Sequence, residues 1–345
     1  MTVVSLLLVG LGNLGRRFCG LLSIKRRFVQ DRFGLHLRLV GAADSRGAAY
    51  DARDGLDPDT VAHIKRCGGS VAEYPGSGRA GWPALELVRC ASADALLEAS
   101  PVNLPLGAEP GLSCIRAALQ RGMHVVTPNK GPLVLAYREL HDLAARQRVQ
   151  LRFDGTVAGG LPALYLGQRD LRGAVVQRLV AVPNLVTGLV MDMLADGVSW
   201  DQALATAWEE GVLEGDGAWD LDGWDAAAKL VILVNAVMDF PARLEDVERT
   251  GITRLNGADV RAARQAGQVY KLLATAERRA GGGVTLRVAP TPLPDSHFLG
   301  RLGRKQMGVI YHTDIYGTQM AAIEEPTPLP SAATMLRDIL DIYVR

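Results

Sequence analysis

Asp225 and Lys229 stand four residues apart in the stretch Trp219-Asp-Leu-Asp-Gly-Trp-Asp-Ala-Ala-Ala-Lys-Leu-Val-Ile-Leu-Val-Asn-Ala236. A helix there puts both side chains on one face, about one turn apart. From Ala226 onward the stretch is almost wholly apolar, and Lys229 breaks the pattern. A lysine facing a protein interior must be paired, shifted in pKa or used for chemistry. Spacing alone also allows a plainer reading. Asp222 then caps the helix, Asp225 sits in its acidic first turn, and Lys229 is an i,i+4 partner whose head reaches water.

A second lysine, Lys130, follows the short apolar run His124-Val-Val-Thr in the turn Pro128-Asn129-Lys130-Gly131. In an open α/β sheet, ligands sit at the carboxyl ends of strands. Lys130 falls there, where it can reach a cofactor or substrate; an ordinary surface-turn lysine fits the same spacing.

The elements that must position these groups begin at the N-terminus. Val3-Val-Ser-Leu-Leu-Leu-Val reads as a strand buried on both faces. It runs into Gly10-Leu-Gly12-Asn-Leu-Gly15 and then a helix. GxGxxG in that setting is a dinucleotide fingerprint. Gly10 makes the turn, Gly12 lets the backbone approach a pyrophosphate, and Gly15 lets helix and strand pack closely. Asn13 and Leu14 lie within this turn, and the helix expected from about Arg16 offers N–H groups that suit phosphates. A second strand ends at Asp44, placed to accept from an adenosine ribose hydroxyl, with Ser45 beside it. Arg46 follows and could pair with a 2′-phosphate, so both NAD and NADP stay open.

The chain has 345 residues, 48% hydrophobic and 22% charged, enough for two globular domains. A net charge of +1 gives no broad pull toward nucleic acid or a membrane surface. No apolar run reaches the roughly 18 residues of a membrane span, and the N-terminus lacks a basic, cleavable leader pattern. Cys19, Cys67, Cys90 and Cys114 are scattered and read as reduced thiols of a cytoplasmic protein. The six histidines show no ligand spacing.

Further along, helices are expected near 58–67, 111–121 and 140–147, and residues 93–100 read as a helix or a strand edge. A second domain starts near 150, entered by a strand at 151–154. It continues with strands at 177–183, 252–255, 268–276 and 284–289, helices at 185–195 and 199–210, and a hairpin around Ile315-Tyr-Gly317. The last helix is expected at 332–343. The fold class is therefore α/β: a Rossmann-type dinucleotide-binding domain at 1–149, then an α+β catalytic and dimerisation domain with a mixed sheet at 150–330. Residues 331–345 form a helix returning to the nucleotide domain.

Four motifs in order resemble the homoserine dehydrogenase family. They are Gly10 to Gly15; His124-Val-Val-Thr-Pro-Asn-Lys130-Gly-Pro; Asp154-Gly-Thr-Val-Ala-Gly-Gly-Leu-Pro162; and Glu214-Gly-Asp-Gly-Ala-Trp-Asp220-Leu-Asp-Gly-Trp-Asp225-Ala-Ala-Ala-Lys229. The stretches beginning at Asp44 and at Ser100-Pro101 look like the short form of that family, without a regulatory module. The resemblance implies Lys229 as the acid/base and Lys130 as a second active-site lysine. It implies Glu214, Asp220 and Asp225 as carboxylates holding the substrate, with Asn184 and Thr187 near it. Pro101, Asn129 and Lys130 join the cofactor site. The loop carbonyls of Asp154, Val157 and Gly159 would bind a monovalent cation, Na⁺ or K⁺. A homodimer is implied too.

The implied reaction is homoserine plus NAD(P)⁺ to aspartate 4-semialdehyde plus NAD(P)H, and the reverse. In the reducing direction a hydride reaches the aldehyde carbon and charge builds on oxygen, which a lysine ammonium stabilises and protonates. Two segments depart from the family pattern: Val182-Pro-Asn-Leu-Val-Thr-Gly188 and Glu324-Glu-Pro-Thr-Pro-Leu-Pro-Ser331. Leu185 adds bulk and Val186 lacks a hydroxyl where family members carry Gly and Thr. These departures leave room for a paralogue using the same hydride chemistry on another hydroxy or oxo substrate. A non-catalytic NAD(P)-binding protein is the reading from another class.

Overall fold

A computed structural model of the chain describes residues 1–210, 212–213 and 217–344. The chain forms two compact units, residues 1–160 with 327–345, and residues 161–326.

The first unit is a seven-stranded sheet. In chain order its elements are β1 (Thr2–Val9), α1 (Asn13–Phe33), β2 (Leu35–Asp44), β3 (Gly47–Tyr50), α2 (Pro58–Arg66), β4 (Gly78–Ala80), α3 (Ala84–Cys90), β5 (Ala95–Glu98), α4 (Gly111–Gln120), β6 (His124–Val126), α5 (Lys130–Gln147) and β7 (Leu151–Arg152). The strand order is β4-β3-β2-β1-β5-β6-β7. Strands β2, β1, β5, β6 and β7 run parallel, while at the β2 edge β3 pairs antiparallel with β2 and β4 antiparallel with β3. The order reverses between β1 and β5, which makes that point the natural ligand crevice of the sheet. Leu6, Leu7 and Leu8 are fully buried because helices cover both faces. The core joins β1 and α1 to Met335, Leu336 and Ile339 of the last helix, Leu329–Tyr343.

Three sequence expectations change here. The 93–100 stretch resolves to a strand, since Ala95–Glu98 pairs with both β1 and β6. The run at 151–154 does not open a second sheet: Leu151–Arg152 is the edge strand of the first. The helix expected at 140–147 starts at Lys130, ten residues earlier. Gly131-Pro132 reads as a breaker, but proline is tolerated in a first turn, where its missing N–H has no intrahelical partner to lose.

The second unit carries a six-stranded mixed sheet. It contains α6 (Ala163–Tyr165), β8 (Val176–Val182), α7 (Leu185–Ala195), α8 (Trp200–Glu209), α9 (Ala218–Leu221), α10 (Trp224–Val237), β9 (Val247–Arg249), α11 (Gly257–Gln265), β10 (Gln268–Arg278), β11 (Val284–Pro294), β12 (Gln306–Thr313) and β13 (Thr318–Glu324). The order is β13-β12-β8-β10-β11-β9, antiparallel except for the β11–β9 pair. Helices α7, α10 and α11 pack on β10. The strand expected at 252–255 is a turn instead: the Ile252 N–H donates to Leu221 O, outside any ladder. The helix Leu329–Tyr343, hereafter α12, closes the chain in the first unit.

Candidate active site

In the first unit, β1 delivers Gly10 with φ at +91°, open to glycine and strained for other residues. A Cβ on Gly10 would lie 2.3 Å from the Ala99 carbonyl group, and one on Gly15 only 2.0 Å from Gly10 O. Both glycines are therefore fixed by backbone contact. Gly12 differs: a Cβ there meets nothing within 4 Å. The turn leaves open space at Gly12, with Asn13, Leu14 and Gly15 in the first turn of α1 behind it. First-turn N–H groups lack intrahelical acceptors and carry the positive dipole end. This cradle fits a dinucleotide pyrophosphate.

Asp44 ends β2, as the ribose role requires, but its carboxylate is already engaged. Lys65 Nζ lies 2.7 Å from Oδ2 and Val71 N donates to it over 3.0 Å, while Ser70 Oγ and Arg46 N donate to Oδ1 over 2.8 and 2.9 Å. Burial alone would push this carboxyl up, yet the Lys65 ammonium and the three other donors hold it below its ordinary value. Four donors fill the carboxylate's roughly four lone-pair positions. Ser45 and Arg46 are exposed beside it, and the Arg46 guanidinium donates to Gly68 O over 2.8 Å.

At the carboxyl ends of β5 and β6 lies a hub that the sequence reading missed. Glu98 is fully buried. It accepts from Ser100 N over 2.8 Å and from Thr127 Oγ1 over 3.2 Å, with Asn129 as a further side-chain partner. Burial pushes its carboxyl above the ordinary range despite these bonds. Asn129 caps α5 by accepting from Gly131 N over 3.0 Å and donates to Pro101 O over 3.4 Å. Lys130 is thus the first residue of a helix whose cap is tied to Pro101 and Glu98. The visible signal was an acid closing a short apolar strand, Ala95-Leu-Leu-Glu98.

The segment containing Asp154, Val157 and Gly159 is held by α12. Thr334 Oγ1 donates to Gly159 O over 3.2 Å, and the Arg337 guanidinium binds the Asp154 carboxylate and Gly160 O. Asp338 Oδ2 accepts from Asp154 N over 3.3 Å. The Asp154 carboxylate is thus neutralised by Arg337 and Gly159 O accepts from Thr334, so a unit positive charge already sits against this loop, which argues against adding Na⁺ or K⁺ there. Among the described residues no three His, Cys, Asp or Glu side chains gather to hold a metal.

In the second unit, α10 is buried from Asp225 through Val234 except at Lys229, which is partly buried. Lys229 Nζ lies 2.8 Å from Asp225 Oδ2 and donates to Pro183 O over 2.7 Å. Their side chains are 13% and 4% exposed, so this is not the solvated surface pair of the plainer reading. Asp222 does not cap the helix either. It ends α9, and Gly223, with φ at +82°, is the cap that turns the chain between the two helices. Trp219 and Trp224 stack across that corner, with the Arg249 guanidinium 3.7 Å from the Trp224 ring centre.

Asn184 organises the acids. Its Nδ2 donates to Asp220 Oδ1 and Asp225 Oδ2, both over 2.6 Å. Its Oδ1 accepts from Thr187 N over 3.0 Å and from Thr187 Oγ1 over 3.4 Å, capping α7. Two donors and two acceptors fill the amide's capacity. Asn184 and Thr187 therefore hold Asp220 and Asp225 in place by bonds within the protein. Glu214 lies outside the described residues.

A GxGxxG cradle on a doubly wound sheet, joined in one chain to a catalytic unit bearing a buried Lys–Asp pair, defines an NAD(P)-dependent oxidoreductase acting on a CH–OH group. The family model "Homoserine dehydrogenase" matches residues 162–340, and the chain belongs to the homoserine dehydrogenase family. It is 30% identical over 343 residues to the NAD(+)-dependent homoserine dehydrogenase of Pseudomonas canavaninivorans, covering 99% of this chain and 97% of that one. Identity to the homoserine dehydrogenase of Methanocaldococcus jannaschii is 29%, over 99% and 98%. The crystal structure of the homoserine dehydrogenase of Thermoplasma acidophilum superposes with a TM-score of 0.84 at 26% identity, covering 98% of each chain.

Proposed function

We propose that the chain interconverts homoserine and aspartate 4-semialdehyde with NAD(P), using Lys229 as the acid/base. The observation that carries this reading is the Lys229 head group, held between Asp225 Oδ2 and Pro183 O in a largely buried setting. An ammonium oriented by two acceptors keeps a third N–H direction for a substrate oxygen. When the substrate is oxidised, the lysine acts from its neutral amine form and takes the hydroxyl proton, becoming the ammonium; in reverse the ammonium gives that proton to the developing alkoxide and returns to the amine. Asp220 and Asp225, aligned by Asn184, supply the negative charge that an α-ammonium substrate requires. The bound nicotinamide supplies or accepts the hydride. Gly12 and the first turn of α1 hold the cofactor's phosphates, and Asn129 fixes the helix start that carries Lys130.

The test is an initial-rate assay with homoserine and, in parallel, NAD⁺ and NADP⁺, followed by absorbance of the reduced nicotinamide. Turnover supports the reading and names the preferred cofactor. Cofactor binding by thermal shift without turnover of homoserine overturns it, and favours a different hydroxy substrate. The observation behind that second reading is the pair Leu185 and Val186 beside Asn184, half-buried and buried respectively. Apolar side chains there reshape a pocket and leave a polar substrate group unpaired.

A homodimer is inferred from the hairpin of β12 and β13, where Ile315, Tyr316 and Met320 are 63%, 47% and 52% exposed; light scattering at known concentration checks it. No helix among the described residues is long and apolar enough to cross a membrane. Four free cysteines fit a reducing cytoplasm.

A further inference from the structure

The segment from Asp154 to Gly160, which the family resemblance makes a cation loop, opens with a single helical turn, Asp154–Thr156, and an acid buried at its base. Asp154 is 1% exposed, and a buried carboxylate requires a positive partner. Ala158 and Gly159 both sit in the left-handed region, with φ at +53° and +58°. For alanine that conformation persists only where the surroundings over-determine it.

Those surroundings are one face of α12. Thr334, Arg337 and Asp338 lie three and four residues apart, so they point the same way. Thr334 Oγ1 bonds Gly159 O, Asp338 receives Asp154 N, and Arg337 spans the loop. One guanidinium nitrogen binds the Asp154 carboxylate, and the other donates to Gly160 O over 3.4 Å. A guanidinium carries the same unit charge as Na⁺ or K⁺, never deprotonates in proteins, and presents several fixed donors to oxygen. A second cation on this loop would meet like charge at contact range.

We propose that Arg337 is the resident cation of the 154–160 loop: its guanidinium supplies the positive charge at the Asp154 carboxylate and Gly160 O, and the chain binds neither Na⁺ nor K⁺ on this loop. The proposal concerns binding and does not depend on which alcohol the chain oxidises.

The experiment is thermal unfolding of the full chain in tetramethylammonium buffer, titrated with NaCl, KCl or choline chloride at matched ionic strength. A ligand that binds only the folded state raises Tm in proportion to the logarithm of its concentration above Kd. For the wild-type chain the three salts should move Tm together, within about 1 °C of each other, about the resolution at which small stability changes register. Arg337→Met opens the loop, and its Tm should rise saturably with NaCl or KCl, by about 4 °C or more beyond choline. Arg337→Lys keeps the charge at Asp154 and should, like wild type, show no Na⁺- or K⁺-specific rise, even where its Tm in choline is lower. ²³Na line broadening on the wild-type chain supplies a readout that needs no variant, and none above that of a choline-saturated control is expected. A wild-type Tm that responds to Na⁺ or K⁺ beyond choline overturns the proposal. So does excess ²³Na broadening, or a folded R337M that gains no ion-specific response.

Discussion

Lys229 and Asp225 are joined over 2.8 Å across one turn of a helix that is apolar from Leu230 to Val234. Burial of both partners means that neither can be removed without consequence for the other. Lys229→Ala should lower turnover by about 10²–10⁴-fold, the usual range for losing a general acid/base. Cofactor affinity should stay within about threefold, because the cradle at Gly12 belongs to different elements. Steady-state rates beside a cofactor titration check this, and a variant retaining more than a tenth of wild-type turnover would remove Lys229 from the acid/base role.

A second lysine in the same unit sharpens that test. Lys271 on β10 is 2% exposed. It donates to Leu302 O over 2.7 Å and pairs with Asp192 of α7 over 3.3 Å. Sequence reading passed over it, because a lone lysine in a strand gives no spacing signal. Its partners are structural. Lys271→Met should cost about 3–5 kcal/mol by leaving Asp192 without its cation, and turnover per folded molecule should hold. Denaturant titration and rates measured at 15 °C separate the two effects. Asp192→Leu in the same chain should recover part of the loss, since the pair couples.

The glycines of the first turn divide by what surrounds them. Gly15 has Gly10 O in the place of a side chain, whereas Gly12 has open space. Gly15→Ala should therefore lower Tm by about 5 °C or more, in line with an overpacked core position. Gly12→Ala should leave Tm within about 2 °C, as a surface change does, yet weaken NAD(P) binding by at least tenfold, because its methyl takes the room a phosphate needs. Equal effects of the two on Tm would remove the distinction.

Asp44 links β2 to the 65–71 segment through Lys65, Ser70 and Val71. Its folded-state pKa lies below the ordinary value, so its ionised form stabilises the fold above the unfolded pKa of about 3.9. That contribution is lost as pH falls through the lower folded value. Asp44→Asn should be less stable than wild type by about 1–3 kcal/mol near neutrality, and the two curves should converge toward pH 3. A gap that persists undiminished at pH 3 would assign the effect to shape instead of charge.

Much of this architecture was legible because local rules and tertiary context agreed. The first strand, its glycines and the first helix follow from a continuous apolar run meeting GxGxxG, and the apolar run at 185–195 is α7. What sequence could not supply were contacts between distant segments. Arg337 and Asp154 are 183 residues apart, and no periodicity couples them. The 151–154 run was given to a new sheet because a two-residue edge strand has no pattern of its own; its pairing with Val125 and Val126 decides it. Asp222 looked like a cap because Asp is favoured there, but Gly223 alone accepts the left-handed backbone that the corner between α9 and α10 requires.

Glu98 carries the opposite linkage to Asp44, although both acids close parallel strands flanking β1. Asp44 has a lysine; among the described residues Glu98 has only neutral donors, from Ser100, Thr127 and Asn129. Neutral hydrogen bonds offset part of the burial cost of a carboxylate but not all of it, so its folded pKa rises. The folded state then holds its proton to higher pH than the unfolded chain does. Stability accordingly falls as pH climbs from the unfolded value of about 4.3 through the raised folded value. Glu98→Gln keeps the shape and deletes the titration. Its Tm should stay flat across that window, while the wild-type Tm drops relative to it, and Asp44→Asn should show the reverse trend at lower pH. Thermal scans of the three proteins from pH 3 to 8 check both signs at once. Parallel wild-type and E98Q curves would mean that Glu98 titrates alike in the folded and unfolded chain, its burial fully matched by the three donors.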